Sequence, residues 1–233
     1  MEGKNSGGKV LGRLHIVATP IGNLEDLTFR ALRILNEVSA IACEDTRQTM
    51  KLLNRYGIKK RLLSYYHPRE SQKIPLIIKM LKEGKDVALV TDSGTPGLSD
   101  PGYPLIREAI RQGITVSPVP GASALTAALS ASGLPSHRFL FLGFSPPKKE
   151  ATKKMLQSLK EEEATLVFYI PTRKLLSFLE VCQPILGDRQ IVIAREITKI
   201  YEEFLRGKTE ELRKKLEGKM IRGEATVLIE GKR

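Results

Sequence analysis

The chain has 233 residues, 41% of them hydrophobic, with 38 Lys and Arg against 26 Asp and Glu for a net charge of +12. A chain this long buries a full core without disulfides or a metal staple, and Cys43 and Cys182, far apart and outside any C-x-x-C pair, read as reduced thiols of a cytoplasmic protein. The scattered His15, His67 and His137 lack the spacing of metal ligands, no apolar run is long enough for a membrane, and the positive balance favours a polyanion, nucleic acid first, as partner.

Residues 1–12 are polar and glycine-rich and read as a disordered tail. Gly3 to Lys9 imitates the start of a phosphate-loop signature. Val10, however, stands where Ser or Thr should bind magnesium, and no strand precedes the glycines. From Leu14 short apolar runs alternate with amphipathic stretches, which predicts strands at 14–18, 39–43, 62–66, 86–91 and 114–118 joined by crossover helices. Leu27, Ala31, Ile34, Leu35 and Val38 recur at helical spacing, as do Met50 and Leu53, and Ile77, Ile78 and Leu81. Pro75 fits the first turn of its helix, and Asp26 or Asn23 is placed to cap another. Ser117 to Gly121 reads as a hinge, followed by a small-residue helix, Ala122 to Ser132. Beyond it the pattern restarts, with strands at Phe139–Phe144, Thr165–Tyr169, Gln190–Ala194, Tyr201–Leu205 and Thr226–Glu230, and helices near 150–161, 172–181 and 208–217.

The fold class expected is therefore α/β in two lobes, 13–118 and 119–233, each a mostly parallel or mixed sheet flanked by helices. A ligand cleft between the lobes would be lined by loops 19–23, 91–103 and 119–123, beyond the carboxyl ends of strands.

The loop from Asp92 to Tyr103 is the most informative segment. Gly94, Gly97 and Gly102 allow left-handed backbone and close approach of main-chain amides to a ligand, while Pro96 and Pro101 reduce the cost of ordering it. Ala18 to Asp26 follows the first strand without the G-x-G-x-x-G pattern, which disfavours a dinucleotide fold. Ala42-Cys43-Glu44-Asp45-Thr46-Arg47 sets two carboxylates and a guanidinium at a strand end, where they either pair, cap the next helix, or serve proton transfer and phosphate binding. Ala194 to Lys199 repeats such a cluster. Tyr169 is placed to pack on a flat heterocycle and Arg173-Lys174 to touch phosphates, while Tyr65-Tyr66-His67 reads either as an aromatic patch that stacks bases or, at least equally, as a half-buried strand end.

Five segments in unbroken order, Val17–Asp26, Ala42–Arg47, Asp92–Tyr103, Pro120–Ala124 and Ala194–Lys199, resemble the tetrapyrrole methylase superfamily, in its branch of small-subunit ribosomal RNA methyltransferases. The resemblance runs from about Leu14 to Gly231. It implies a two-lobed homodimer that binds S-adenosylmethionine folded between the lobes and methylates the ribose 2′-hydroxyl of a cytidine in the decoding centre of 16S ribosomal RNA, within the small ribosomal subunit. Carried onto this chain, it places the cofactor at Ile21, Thr95, Leu98, Ala122, Ser123, Tyr169, Ala194 and Thr226, with Asp92 and Gly94 in the same loop as Thr95. The chain departs from the pattern at Ser93, for a usual Ala, and Ala122, for a usual Pro. Ile170 and Pro171 stand where relatives carry Glu-Ser, and Tyr65 to Glu70 replaces a more His-rich version.

Methyl transfer from a sulfonium is an in-line displacement, with the nucleophilic oxygen held about 3 to 3.5 Å from the methyl carbon. A ribose hydroxyl is a poor nucleophile, so a base or a cation at the developing alkoxide is expected. Asp45 and Glu196 are the candidate bases, Arg47 and Lys199 the candidate charge stabilisers, and the chemistry requires no metal. Two other readings are methylation of a corrin precursor, itself acidic, and RNA binding without catalysis.

Overall fold

The computed structural model describes residues 10–67, 70–219 and 221–233, so the readings on Gly3–Lys9 and on Pro68 and Arg69 fall outside the described residues. Two compact units form, Met1–Ser123 and Ala124–Arg233. Order precedes residue 13, because the Gly12 N–H donates to Leu81 O at 2.7 Å and Leu11 packs on the core.

The first unit holds strands β1 (Leu14–Val17), β2 (Ala40–Cys43), β3 (Leu62–Ser64), β4 (Val87–Val90) and β5 (Val116–Val119), connected by helices α1 (Phe29–Glu37), α2 (Thr46–Arg55), α3 (Glu70–Lys82) and α4 (Tyr103–Arg111). The sheet is wholly parallel, in the order β3-β2-β4-β1-β5. Successive side chains alternate between its faces. Leu14, Ile16, Ala42 and Leu89 meet Ile77 and Leu81 of α3 and Leu105 and Ala109 of α4. Val17, Ile41, Cys43, Ala88 and Val90 meet Ala31 and Leu35 of α1 and Leu53 of α2. With both faces covered, the central strands are buried throughout, which is why they read as unbroken apolar runs. The chain leaves β1 toward β2 and β4 toward β5, in opposite directions across the sheet. The neighbouring carboxyl ends of β1 and β4 therefore form a topological switch point.

Several local expectations change. Ser117 to Val119 is not a hinge but the end of edge strand β5, where Pro118, opposite Ile16, needs no outward donor. Pro75 lies inside α3 rather than in its first turn, on an exposed side where water can meet the freed carbonyl. Asn23 caps a 3-10 turn at Leu24–Asp26, and Thr28 rather than Asp26 caps α1, accepting from Ala31 N–H at 3.1 Å. Tyr65 is 1% exposed in the α3–α4 core, so it offers no surface for bases.

The second unit holds α5 (Ala124–Ser132), β6 (Phe139–Phe144), α6 (Lys149–Ser158), β7 (Thr165–Pro171), α7 (Leu175–Leu186), β8 (Gln190–Arg195), β9 (Glu203–Lys208), α8 (Thr209–Leu216) and β10 (Glu224–Ile229). Its mixed sheet runs β6-β7-β10-β8-β9, with only β6 and β7 parallel. Phe168, Ile170, Ile193, Leu205 and Val227 face α6, α7 and α8. On the other face, Arg206 ties down the end of α5, donating to Ala131 O at 2.7 Å and Ser132 O at 3.2 Å. The strand expected at 201–205 begins at Glu203, because a turn at Lys199–Glu202 leaves Ile200 94% and Tyr201 74% exposed. Both cysteines are buried free thiols, and burial pushes that of Cys43 up to about 11.

Candidate functional site

In the first unit the loops after β1, β2 and β4 converge at the carboxyl end of the sheet. Thr19 and Gly94 exchange backbone hydrogen bonds at 2.9 and 3.0 Å, and Thr19 Oγ1 donates to Thr91 O at 3.1 Å, joining the first loop to the third. Gly94 and Gly97 both have φ of +83°, so the loop turns twice through backbone that only glycine adopts without strain. A Cβ on Gly94 would lie 3.6 Å from Ile21 Cγ2, which makes those two residues neighbours. Thr95 Oγ1 donates to Ala122 O at 3.3 Å, and Leu98 N–H donates to Thr95 O at 3.2 Å. Asp92 accepts from Asp45 N–H at 3.0 Å, linking the β2 loop to the same group. Ile21, Asp92, Gly94, Thr95, Leu98 and Ala122 thus gather within one unit, with Ser123 next to Ala122.

In the second unit Tyr169, Thr226 and Ala194 are register partners on three adjacent strands, β7, β10 and β8. The row continues to Phe144 on one side and Phe204 on the other. Phe141 and Phe144 meet the Tyr169 ring edge-on, with centroids 5.0 and 5.5 Å away, and hold it across the row from two small side chains. A groove of about 800 Å³ lies elsewhere in this unit, near Arg189 and Lys208, and contains none of these residues.

The charged candidates divide by environment. Asp45 caps α2 through Arg47 N–H at 2.8 Å and takes the Arg47 guanidinium at 2.6 Å, which holds its carboxyl down at about 2. So acidic a group is a weak base; its geometry suits it to fixing Arg47. Glu44, its neighbour, is raised instead, by burial and then by the charge of Asp92. In the second unit Glu196 accepts from Lys199 Nζ at 2.9 Å and from Glu224 N–H at 3.1 Å. Burial is the largest single influence and opposes its ionisation, but the hydrogen bonds from Lys199 and Glu224 N–H together with the charges of Lys199 and Arg195 outweigh it, and its carboxyl lies below the usual range. Glu196 and Thr198 both adopt positive φ, +50° and +66°, in a turn that this ion pair closes. The raised carboxylate is therefore Glu44, visible in the sequence only as one of two adjacent acids. A raised folded-state value means that ionised Glu44 costs stability above its unfolded titration and nothing below it. Glu44→Gln should raise the melting temperature at pH 8 and leave it unchanged at pH 4, as thermal unfolding at the two pH values will show.

The pattern described by the family model for Tetrapyrrole (Corrin/Porphyrin) Methylases matches residues 13–213. The chain belongs to the tetrapyrrole methylase family. It is 50% identical over 222 residues to a Thermotoga maritima protein named ribosomal RNA small subunit methyltransferase I, a match covering 95% of this chain and 100% of that one. The Bacillus subtilis protein of the same name is 44% identical over 226 residues, covering 97% of this chain and 77% of its own. Solved folds agree: a diphthine synthase superposes with TM-score 0.69 at 18% identity, covering 94% of this chain and 90% of the other. A cobalt precorrin-4 methyltransferase gives 0.66 at 17%, covering 94% of each.

Tetrapyrrole methylases use S-adenosylmethionine as methyl donor. Each unit taken by itself offers groups of the right chemistry: the first has a glycine-bearing loop, fixed by the Thr19–Gly94 bridge, at the carboxyl end of its parallel sheet, and the second has the Tyr169 ring beside the small Thr226 and Ala194, which suits a flat heterocycle. Among the described residues no cluster of His, Cys, Asp and Glu could hold a metal ion, and no helix is long and apolar enough to cross a membrane.

Proposed function

We propose that this methylase transfers the methyl group of S-adenosylmethionine to the ribose 2′-hydroxyl of a cytidine in the decoding centre of 16S ribosomal RNA, acting in the cytoplasm as a homodimer on the small ribosomal subunit. The observation that carries this reading is the 50% identity to a relative named ribosomal RNA small subunit methyltransferase I and matched along its whole length. Fold likeness to corrin and diphthine enzymes is far weaker in sequence, at 17 and 18% identity.

S-adenosylmethionine supplies an electrophilic methyl carbon. For the chain's own part, the Thr19–Gly94 bridge and the Thr95–Ala122 hydrogen bond fix the loops that position that ligand. Ile21, Leu98 and Ser123 complete that wall, and Tyr169, Ala194 and Thr226 offer the second unit's surface. Arg47, held by Asp45, and Lys199, held by Glu196, present fixed cations for a developing alkoxide or the flanking phosphates. Glu44 takes the place of Asp45 and Glu196 as the candidate base, since its carboxyl alone of the three is raised, as proton abstraction near neutral pH favours, while the other two are held low by their cations.

The test is transfer of labelled methyl from S-adenosylmethionine to small ribosomal subunits purified from cells lacking the corresponding enzyme. Nucleoside mapping should return a single 2′-O-methylcytidine in 16S ribosomal RNA. Label on a base, on protein, or only on an added tetrapyrrole overturns the reading.

A further inference from the structure

The basic clusters of this chain differ in what answers them. On α6, Lys149 pairs with Glu180 and Lys153 with Glu150. On α8, Arg213 and Lys214 both reach Glu210. The stretch Thr46–Arg61, by contrast, carries Arg47, Lys51, Arg55, Lys59, Lys60 and Arg61 and no Asp or Glu at all. Arg47 is held by Asp45, outside the stretch, and Lys51 Nζ reaches the neutral Gln48 side chain at 3.3 Å. Arg55, Lys59, Lys60 and Arg61 form no ion pair among the described residues.

Their placement is ordered. Arg47, Lys51 and Arg55 follow at intervals of four along one exposed stripe of α2, whose buried side is Thr49 and Leu53. Lys59, Lys60 and Arg61 then lead into β3, the edge strand of the first sheet opposite β5. Like charges four apart repel and destabilise a helix unless something neutralises them. The stripe begins where Asp45 N–H bonds Asp92, so it starts at the candidate site and extends away from it along the helix.

We infer that the exposed stripe of α2 and the turn into β3 dock the sugar–phosphate backbone of the RNA substrate. This rests on the proposed reading of the chain as a ribosomal RNA methylase. Free guanidinium and ammonium groups in a row release counterions from phosphates and position a strand without reading its sequence.

The experiment measures binding of a 16S ribosomal RNA transcript and of purified small subunits between 50 and 200 mM salt, for wild-type protein and two variants. One carries Lys51→Gln, Arg55→Gln, Lys59→Gln, Lys60→Gln and Arg61→Gln; the other carries Lys149→Gln, Lys153→Gln and Lys154→Gln on α6. The α2 variant should bind RNA at least about 10-fold more weakly. Its plot of log affinity against log salt should flatten by up to about 3.5, at about 0.7 per lost contact to single strands. S-adenosylmethionine affinity should stay at the wild-type value. A double variant, Lys59→Gln with Lys60→Gln, should flatten the slope by a smaller amount and serves if the larger one melts early. An unchanged slope, or an equal loss in the α6 variant, overturns the docking surface while wild-type methylation still stands. Wild-type protein that binds neither RNA overturns the functional reading and this surface together.

Discussion

Thr95→Asp should abolish S-adenosylmethionine binding, with a loss on the order of 100-fold or more by titration calorimetry, about 2.7 kcal/mol. Thr95 is half-buried in the loop after β4, and its hydroxyl donates to the carbonyl of Ala122 in the loop after β5. A carboxylate there has no proton to donate, faces that carbonyl oxygen with like charge, and adds charge near Asp92 where an amino-acid carboxylate would approach. The Thr19–Gly94 bridge and the glycine turns, which the substitution does not touch, keep the loop folded, so losing the Thr95–Ala122 bond should lower the melting temperature by only a few degrees. Wild-type affinity in a folded Thr95→Asp protein would remove this loop from the cofactor site.

Phe168→Ala and Tyr169→Ala, one residue apart on β7, should fail in opposite ways. Phe168 is fully buried against α7, its ring 5.2 Å from that of Phe178 at an interplanar angle of 61°. Truncation leaves a cavity costing about 3–5 kcal/mol. A chain of this size should then melt roughly 10 °C lower. Tyr169 points to the opposite face of the sheet, toward Phe141 and Phe144, beside Thr226. Losing that ring should cost roughly 10-fold in S-adenosylmethionine affinity, the scale of one aromatic stack on a base, with a much smaller drop in melting temperature. Equal melting losses from the two, or full cofactor affinity without Tyr169, would place the ligand elsewhere.

Much of this was legible in the sequence. The ten strands of the described residues lie within a few residues of their expected positions, since alternation and apolar runs are local signals that survive into the fold. The exceptions are instructive. β9 starts late because the Lys199–Glu202 turn occupies the first residues that looked like strand. Pro118 sits in a strand because β5 is an edge, and being an edge is a property of strand order. Tyr65 read either as an aromatic surface or as a half-buried strand end and is core, because α3 and, from nearly forty residues on, α4 pack over it.

Among the candidate site residues, the loops carrying them were recognisable by their glycines, prolines and charges. Their partners were not. Asp45 and Glu44 are adjacent in sequence with the same chemistry, yet one is held low by Arg47 and the other is raised by burial and by Asp92.

The sequence by itself determined that strands alternate with helices, that stiff glycine-bearing turns follow the first and fourth strands, and that Thr46–Arg61 lacks any carboxylate, because each is written in consecutive residues. Only the tertiary structure decided that β4 inserts between β2 and β1, and that Tyr169, Thr226 and Ala194 stand in one row. Strand order and register are settled by packing between segments far apart in the chain, and no local pattern encodes which of several apolar edges will pair.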